Sequence, residues 1–309
     1  ITTAGGIETT KGSVTLKAPT VSSGDIKAGS STNAGNITLS STGITPVSAT
    51  FNNLTAESGY VELNGKKIDV NGETKAKKVT ATGTTDVTFG KITATSDAVT
   101  ITGNNSITLK GAVEGNSIAL TGASVTSQTN AVTLRAKEGK ITVGATTAST
   151  TATFAGTLSA KTGIEITTTG SLTLGANVST DESAGQTNDI KLQAGDVTAT
   201  SSAITAGTGS VTLNGTGTAK FKTIDAFDNI TLTTADSKEI SFSGDIHADG
   251  NKLKDNKYGI YVAAGTITAN GNVSTDAGDI NFITNTLNLG KNKSVDSAGN
   301  IAMTADNVS

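Results

Sequence analysis

GSVTL, residues 12–16, is the stretch that decides the fold, because the chain repeats it with small variations from end to end. A turn-forming residue comes first and an aliphatic, polar, aliphatic triplet follows. In an extended backbone Val14 and Leu16 therefore point to one side and Thr15 to the other, which predicts a β-strand with one buried face. The clearest later copies are GNITL at 35–39, GYVEL at 59–63, NSITL at 105–109, NAVTL at 130–134, GSLTL at 170–174, GSVTL at 209–213, DNITL at 228–232 and GDINF at 278–282.

The spacing of these phrases predicts a solenoid. Successive phrases lie roughly 18 to 25 residues apart, which is the interval of a stacked repeat array. Weaker phrases with the same alternation lie between them, such as GDIKA at 24–28 and GDVTA at 195–199, so one coil holds at least two strands. Apolar residues do not recur three and four positions apart, which excludes helical repeats. The sequence therefore predicts an all-β fold, a parallel β-helix solenoid of about 14 to 15 coils with short loop excursions.

Composition indicates how such coils would be filled and turned. The interior is expected to hold Val, Ile, Leu and Ala together with phenylalanines, in ladders whose rungs lie about 4.8 Å apart. The chain has 36 glycines, which we expect at tight corners that demand positive φ, and only two prolines. It has no cysteine, so stability must come from stacking without disulfides. The phenylalanines expected inside are Phe51, Phe89, Phe154, Phe221 and Phe242.

The domain organisation follows from the uniformity of the sequence. No Pro-rich or charge-rich linker divides the 309 residues, so we expect one β-helix rod over residues 1–309. The chain begins without a methionine and ends in mid-pattern, which indicates a fragment of a longer protein. The alternation is interrupted near 180–189 and near 251–259, where loop excursions are predicted.

Charge and hydropathy exclude several classes of partner. The formal net charge is −3 and 16% of residues are charged, so the chain lacks the basic surface that nucleic-acid binding requires. No run approaches the roughly 18 apolar residues of a transmembrane helix. No motif for a cofactor is present, and none is expected.

The repeated phrases, the Thr, Ser, Gly and Asn content and the absence of cysteine resemble the filamentous-haemagglutinin-like passengers of bacterial two-partner secretion, including the high-molecular-weight adhesins. The resemblance implies a right-handed β-helix within a longer exoprotein that an outer-membrane β-barrel partner secretes to the bacterial cell surface. It implies attachment to a host-cell receptor or glycan, or service as a stalk that displays a distal toxin or adhesive domain. Autotransporter passengers have similar coils, so that export route stays open.

A polysaccharide-acting β-helix enzyme is the main alternative, and the sequence equips it poorly. The chain has one histidine, His247, one arginine, Arg135, and no tryptophan. A Ser/His/Asp triad would have to include His247, which follows an inward-pointing Ile246 and is therefore expected to face solvent on an outer strand. We predict no catalytic residue. Ice binding is a third alternative, but the Thr-X-Thr units do not recur at one constant place per coil.

Acidic and basic clusters are interpreted as solvated surface. Asp181 and Glu182 are adjacent in a turn-like stretch, and Asp276 and Asp279 are expected to be corner residues that cap turns, not calcium ligands. No metal site is predicted. A lysine cluster could attract anionic glycans, but its two Lys-Lys pairs are expected on different faces. The cluster comprises Lys66, Lys67, Lys75, Lys77 and Lys78.

Two kinds of modification or contact site remain as hypotheses. The resemblance gives Asn-X-Ser/Thr motifs a meaning as glycosylation acceptors, although chance alone would produce about seven of them. The charged interruption near 251–259 is a candidate partner-contact loop through Lys252, Lys254, Lys257 and Tyr258, or a corner excursion with no partner. The acceptor asparagines are Asn36, Asn53, Asn104, Asn177, Asn214, Asn229, Asn272, Asn292 and Asn307.

Overall fold

A computed structural model shows the chain as a parallel β-solenoid of about 13 turns, close to the 14 or 15 predicted. It describes residues 1–3, 5–40, 47–144, 151–181, 188–250 and 258–309, and within these ranges no helix forms. The chain forms two compact units, Ile1–Thr150 and Thr151–Ser309. The predicted single rod over 1–309 and the predicted handedness stay predictions. Of the predicted loop excursions, 182–187 and 251–257 lie outside the described residues.

The strands of unit 1 range from 2 to 17 residues, and many alternate buried and exposed residues, as in Val14–Lys17. Several strands continue around a corner through a register shift, for example between Ala56 and Tyr60. Its strands are β1 (Thr2–Thr3), β2 (Ile7–Thr9), β3 (Val14–Lys17), β4 (Thr20–Ser23), β5 (Ile26–Ala28), β6 (Ile37–Ser40), β7 (Ser48–Phe51), β8 (Leu54–Gly65), β9 (Lys67–Gly83), β10 (Asp86–Ala94), β11 (Val99–Leu109), β12 (Val113–Gly115), β13 (Ile118–Ser127), β14 (Leu134–Ala136) and β15 (Lys140–Gly144).

Three strand segments make one coil of unit 1, and equivalent segments of successive coils pair in parallel to form three faces. Face A is the stack of segments that contain Val14, Ile37, Val61, Val79, Val99, Ile118 and Ile141. Face B contains Val21, Ala49, Ile68, Val87, Ile107 and Val125. Face C contains Ile7, Ile26, Leu54, Thr74, Ile92, Val113 and Leu134.

Unit 2 is built in the same way. Its strands are β16 (Thr151–Phe154), β17 (Leu158–Ala160), β18 (Gly163–Thr167), β19 (Leu172–Leu174), β20 (Val178–Thr180), β21 (Ile190–Ala194), β22 (Val197–Ala206), β23 (Val211–Gly215), β24 (Ala219–Ala226), β25 (Ile230–Thr233), β26 (Glu239–Phe242), β27 (Ile246–Ala248), β28 (Tyr258–Ala263), β29 (Thr266–Ala269), β30 (Val273–Thr275), β31 (Asp279–Ile283), β32 (Thr286–Leu289), β33 (Val295–Ser297), β34 (Ile301–Thr304) and β35 (Asn307–Val308).

The faces of unit 2 are named by the order of strands within its own coils. Face A contains Ile164, Ile190, Val211, Ile230, Ile260, Ile280 and Ile301. Face B contains Ala152, Leu172, Val197, Ala219, Ile240, Ile267, Leu287 and Val308. Face C contains Leu158, Val178, Ile204, Ile224, Ile246, Val273 and Val295.

The interior of each unit is a set of aliphatic and aromatic columns, as the sequence predicted. Leu39 and Leu63 are fully buried and stack in register on face A of unit 1. In unit 2, Phe221 and Phe242 stack in register on face B. Stacking of like residues on neighbouring coils removes their apolar surface from water and brings them into contact, so each buried side chain gains both transfer free energy and dispersion contacts. All five phenylalanines predicted to be inside have at most 1% of their surface exposed.

A second set of contacts joins the coils at the point where each strand begins. In phrases such as GDI, GNI and GNV the Asp or Asn side chain is hydrogen-bonded to the next coil even where it is exposed, as at Asp25 and Asp245. Its Oδ1 accepts a hydrogen bond from the backbone N–H of the equivalent residue in the next coil, for example from Asn272 to Asp245 at 2.8 Å. We call these side chains the corner acceptors. They comprise Asp25, Asn36, Asn53, Asn177, Asp189, Asp196, Asp245, Asn272 and Asp279.

The glycines serve mainly a different purpose from the one predicted. Among the described glycines only four have φ in the positive region, namely Gly29 at 71°, Gly163 at 144°, Gly250 at 69° and Gly278 at 81°. The prediction that corner glycines as a class require positive φ was therefore wrong. Most are needed because neighbouring coils approach too closely for a β-carbon, and one built at Gly35 would overlap backbone atoms of the adjacent coil.

One polar residue interrupts the interior ladder of face C in unit 1. Thr74 is fully buried between Leu54 and Ile92, and its Oγ1 has no hydrogen-bond partner among the described residues. A buried hydroxyl without a partner has lost its hydration without compensation. We expect Thr74→Val to raise the free energy of unfolding by about 1 kcal/mol or more, measured by urea denaturation.

The matched control for that change is Thr100→Val, which removes a hydroxyl from the half-buried outer side of face A. We expect its effect to lie within about 0.5 kcal/mol of zero. Equal stabilisation by both substitutions would contradict the explanation, because the gain would then reflect β-propensity and not the removal of a buried, unpaired hydroxyl.

Candidate functional site

The outer sides of the faces present rows of small polar and charged residues in register. On face C of unit 1 the row passes from Glu8 to Lys27 and Thr55, and then to Lys75 and Thr93. Charges of opposite sign pair along it: Lys27 Nζ lies 2.9 Å from Glu8 Oε1. That carboxylate raises the pKa of Lys27 by its hydrogen bond and by its charge. The row is thus a ladder of polar groups over an apolar core.

This row borders an open groove of about 610 Å³ in unit 1. Glu8, Lys27, Thr55 and Lys75 line the groove together with corner residues such as Asp25. The side-chain amides of Asn53 and Asn52 donate to Asp25 and lower the pKa of its carboxyl group. The groove therefore offers fixed carboxylates, ammonium groups and hydroxyls to a polar ligand.

The lysine cluster predicted from sequence does not act as one patch. Two lysines of the cluster are ion-paired. Lys67 Nζ lies 3.3 Å from Asp69 Oδ2, and Lys75 Nζ lies 3.1 Å from Glu57 Oε1. Lys67 belongs to face B, whereas Lys78 pairs in register with Tyr60 at the start of a face A segment. The prediction that the two Lys-Lys pairs lie at different places on the coil agrees with this register.

The candidate glycosylation sites divide into two groups. Four of the asparagines are corner acceptors, and the Asn53 side chain additionally donates to Asp25 at 2.9 Å, so these amides are held in coil-to-coil hydrogen bonds. Three of those four are partly buried and the fourth, Asn177, is exposed. Asn229 is also partly buried. The remaining acceptors are exposed, namely Asn104, Asn214, Asn292 and Asn307. Glycosylation itself stays a hypothesis.

The predicted partner-contact loop lies mostly outside the described residues, since Lys252, Lys254 and Lys257 fall within 251–257. Tyr258 is described and is partly buried. Its ring centroid lies 5.6 Å from that of Tyr261 at an interplanar angle of 42°. The pair shows that the aromatic residues next to this segment pack on each other, while contact with a partner stays a prediction.

The four acidic residues singled out from the sequence differ in their surroundings. Asp181 is exposed, and Glu182 lies outside the described residues. Asp279 is a corner acceptor whose Oδ1 takes the backbone N–H of Asn300 in the next coil at 2.8 Å, a contact between coils and not the turn-capping role predicted for it. Asp276 instead approaches His247 in the preceding coil, at 3.9 Å from the imidazole.

His247 lies on the outer side of face C in unit 2, as predicted, but it is engaged by neighbouring side chains. Its Nδ1 lies 2.9 Å from Ser274 Oγ and its Nε2 lies 3.0 Å from Asp249 Oδ1. A hydroxyl, an imidazole and a carboxylate are thus connected in series. Because Ser274 belongs to β30, which pairs with β27 on one side and β33 on the other, its strand amides are committed to neighbouring coils and do not form an oxyanion hole.

Comparison with protein-family models, with curated proteins and with solved structures found no match to this chain. The resemblance of its repeated phrases to two-partner-secretion passengers therefore stays an expectation, and a function is inferred from the surfaces described above. Among the described residues, no helix is both long enough and apolar enough to cross a membrane.

Sequence reasoning missed the corner acceptors and the side chains that contact His247. The signal for the corner acceptors was present, because Asp or Asn regularly precedes the first aliphatic residue of a phrase, as in Gly244-Asp245-Ile246 and Gly271-Asn272-Val273. The signal for His247 was absent, because Ser274 lies 27 residues away, beyond the interruption of the repeat.

Proposed function

We propose that this chain is a structural and adhesive segment of a secreted bacterial surface exoprotein that attaches cells to host receptors or glycans. The observation that carries the proposal is the division of each coil into a dry interior and in-register outer rows of hydroxyl, amide and charged groups. Such rows repeat over many coils, so weak polar contacts with an extended ligand add up along the surface. Enzymatic activity is not part of the proposal.

The groove on face C of unit 1 is the contact surface that we propose within this function. Lys27 and Lys75 lie along it beside the hydroxyl of Thr55, and each is paired with a carboxylate, Lys27 with Glu8 and Lys75 with Glu57. The groove holds the three carboxylates of Glu8, Asp25 and Glu73 against two lysines, so it suits a polar, uncharged glycan whose hydroxyls both donate and accept hydrogen bonds. Export through an outer-membrane partner and location at the cell surface belong to the same proposal, and they come from the resemblance of the repeats.

Bead attachment tests the proposal directly. Beads coated with the chain are expected to attach to epithelial cells several-fold more than albumin-coated beads, and excess soluble chain is expected to compete. The Lys27→Gln, Lys75→Gln double variant should lose most of this attachment. Its matched control is the Lys220→Gln, Lys222→Gln double variant, which removes the same charge from exposed positions of unit 2 and should attach like the unaltered chain.

Attachment no greater than that of albumin would refute the adhesive function. Attachment that both double variants retain equally would refute the groove as its site. Release of sugar from any polysaccharide in a panel incubated with the chain would contradict the prediction that the chain has no catalytic residue.

A further inference from the structure

Three potential metal ligands converge on the outer side of face C in unit 2. His247 belongs to β27, Asp249 follows the end of that strand, and Asp276 follows the end of β30 in the next coil. Because Ala248 pairs with Thr275, the two aspartates occupy equivalent positions on adjacent coils. One ligand atom from each of the three residues lies within 4.8 Å of the other two.

The imidazole is oriented by its neighbours. Ser274 Oγ lies 2.9 Å from Nδ1, on the opposite side of the ring from the carboxylates. Nε2 faces both acids, at 3.0 Å from Asp249 Oδ1 and 3.9 Å from Asp276 Oδ2. A hydrogen bond to one ring nitrogen while the other faces the ligand is the usual arrangement of metal-binding histidines.

We propose that His247 Nε2, Asp249 and Asp276 bind a divalent first-row transition-metal ion such as Zn²⁺. Nitrogen and oxygen ligands bind Zn²⁺ at about 2.0 to 2.2 Å in a tetrahedron, which places adjacent ligand atoms about 3.3 to 3.6 Å apart. The 3.0 Å between His247 Nε2 and Asp249 Oδ1 lies just below this range, and the 3.9 Å between Nε2 and Asp276 Oδ2 lies just above it. Asp276 needs only a small side-chain rotation, and its side chain is 73% exposed and so has room to make it.

The ligand set favours one class of cation. Imidazole nitrogen suits Zn²⁺, Ni²⁺ and Cu²⁺, whereas Ca²⁺ and Mg²⁺ prefer sites made of oxygen alone. The chain has one histidine and no cysteine, so any site with an imidazole or thiolate ligand must contain His247. All three ligands are partly or fully exposed, which leaves the remaining coordination positions to water.

A bound ion would join two coils. His247 and Asp249 belong to one coil and Asp276 to the next, and the chain between them includes residues 251–257, where the repeat spacing is longest. An ion that binds only the folded state raises the midpoint of thermal unfolding with concentration. The metal would thus add a cross-coil link at the place where the regular repeat is interrupted.

Isothermal titration of the 309-residue chain with ZnCl₂ tests this site. We expect one saturable ion per chain and an upward shift of the thermal midpoint of unit 2, with no comparable response to CaCl₂. His247→Ala and Asp276→Asn should each weaken Zn²⁺ binding at least tenfold. Asp306→Asn, which neutralises an exposed aspartate on another coil, is the matched control and should leave binding unchanged.

Two results would overturn the proposal. One is the absence of saturable Zn²⁺ binding. The other is Zn²⁺ binding that Asp276→Asn leaves unchanged, because it would show that the ion binds without a ligand from the second coil. The far-ultraviolet circular dichroism of each variant is compared with that of the parent chain, and Asp276→Asn decides the question should His247→Ala fail to fold.

Discussion

Leu213→Asp is expected to abolish cooperative folding of the coils around it in unit 2. Leu213 is fully buried on face A, in register with Leu192 in one neighbouring coil and Leu232 in the other. The neighbouring side chains of the column, Leu192 and Leu232, are buried and apolar and cannot pair with a carboxylate, so the substitution should cost about 4 kcal/mol or more. Loss of the β-sheet signal in circular dichroism at room temperature, or a large drop in the urea midpoint, would record it.

Thr212→Asp is the control, because it places the same carboxylate one residue earlier on the outer side of the strand. There the new charge lies between Lys191 and Thr231 of the adjacent coils, with solvent access. Its effect should lie within about 0.5 kcal/mol of zero. Similar losses for the two variants would mean that Leu213 does not face a dry column. Hydrogen exchange is the second measurement. For Leu213→Asp we expect the backbone amides of the neighbouring coils to lose protection first, because each coil of a solenoid contacts only its neighbours.

Gly35→Ala is expected to be the second most damaging change. A β-carbon at Gly35 would overlap the carbonyl oxygen of Gly12 in the adjacent coil and backbone atoms of Gly29 and Ala28. Backbone atoms held in a strand ladder do not move aside as a flexible side chain would, so two coils must separate locally. We expect a loss of about 3 kcal/mol in the free energy of unfolding, measured by urea denaturation.

Gly12→Ala is a close match, since Gly12 precedes the equivalent strand one coil earlier. A β-carbon there meets no atom within 4 Å. This variant should differ from the parent by less than about 0.5 kcal/mol. A loss at Gly12 equal to that at Gly35 would indicate that both glycines are required for backbone conformation and not for close approach.

The alternation of residues was enough to predict the solenoid and its core. It identified Leu213, Leu232 and Phe221 as interior and Thr212 as exterior, because strand residues alternate between faces whatever their partners are. It did not reveal why the glycines recur. That reason lies in the distance between two coils, as at Gly35 and Gly12, and this distance depends on the pairing register, which a single phrase does not contain.

The candidate metal site likewise depends on the pairing register between two coils. A regular repeat would have aligned His247 with Ser274, and Asp249 with Asp276, by counting residues. Because the segment between them is irregular, the register of the two strands cannot be obtained by counting residues. The sequence alone therefore predicts a solvent-facing histidine and a turn-capping Asp276. Only the pairing of β27 with β30 brings the side chains together.

The corner acceptors give the chain a polarity that its apolar columns lack. In each rung the oxygen belongs to the earlier winding and the amide to the later one, as with Asp245 and Asn272. An ordered coil therefore presents side-chain oxygens that can accept hydrogen bonds from the backbone of the segment that follows it in the chain. Where such an acceptor is present, we expect ordered structure to extend more readily towards the carboxyl terminus, because the acceptor is already in place for the backbone N–H that follows.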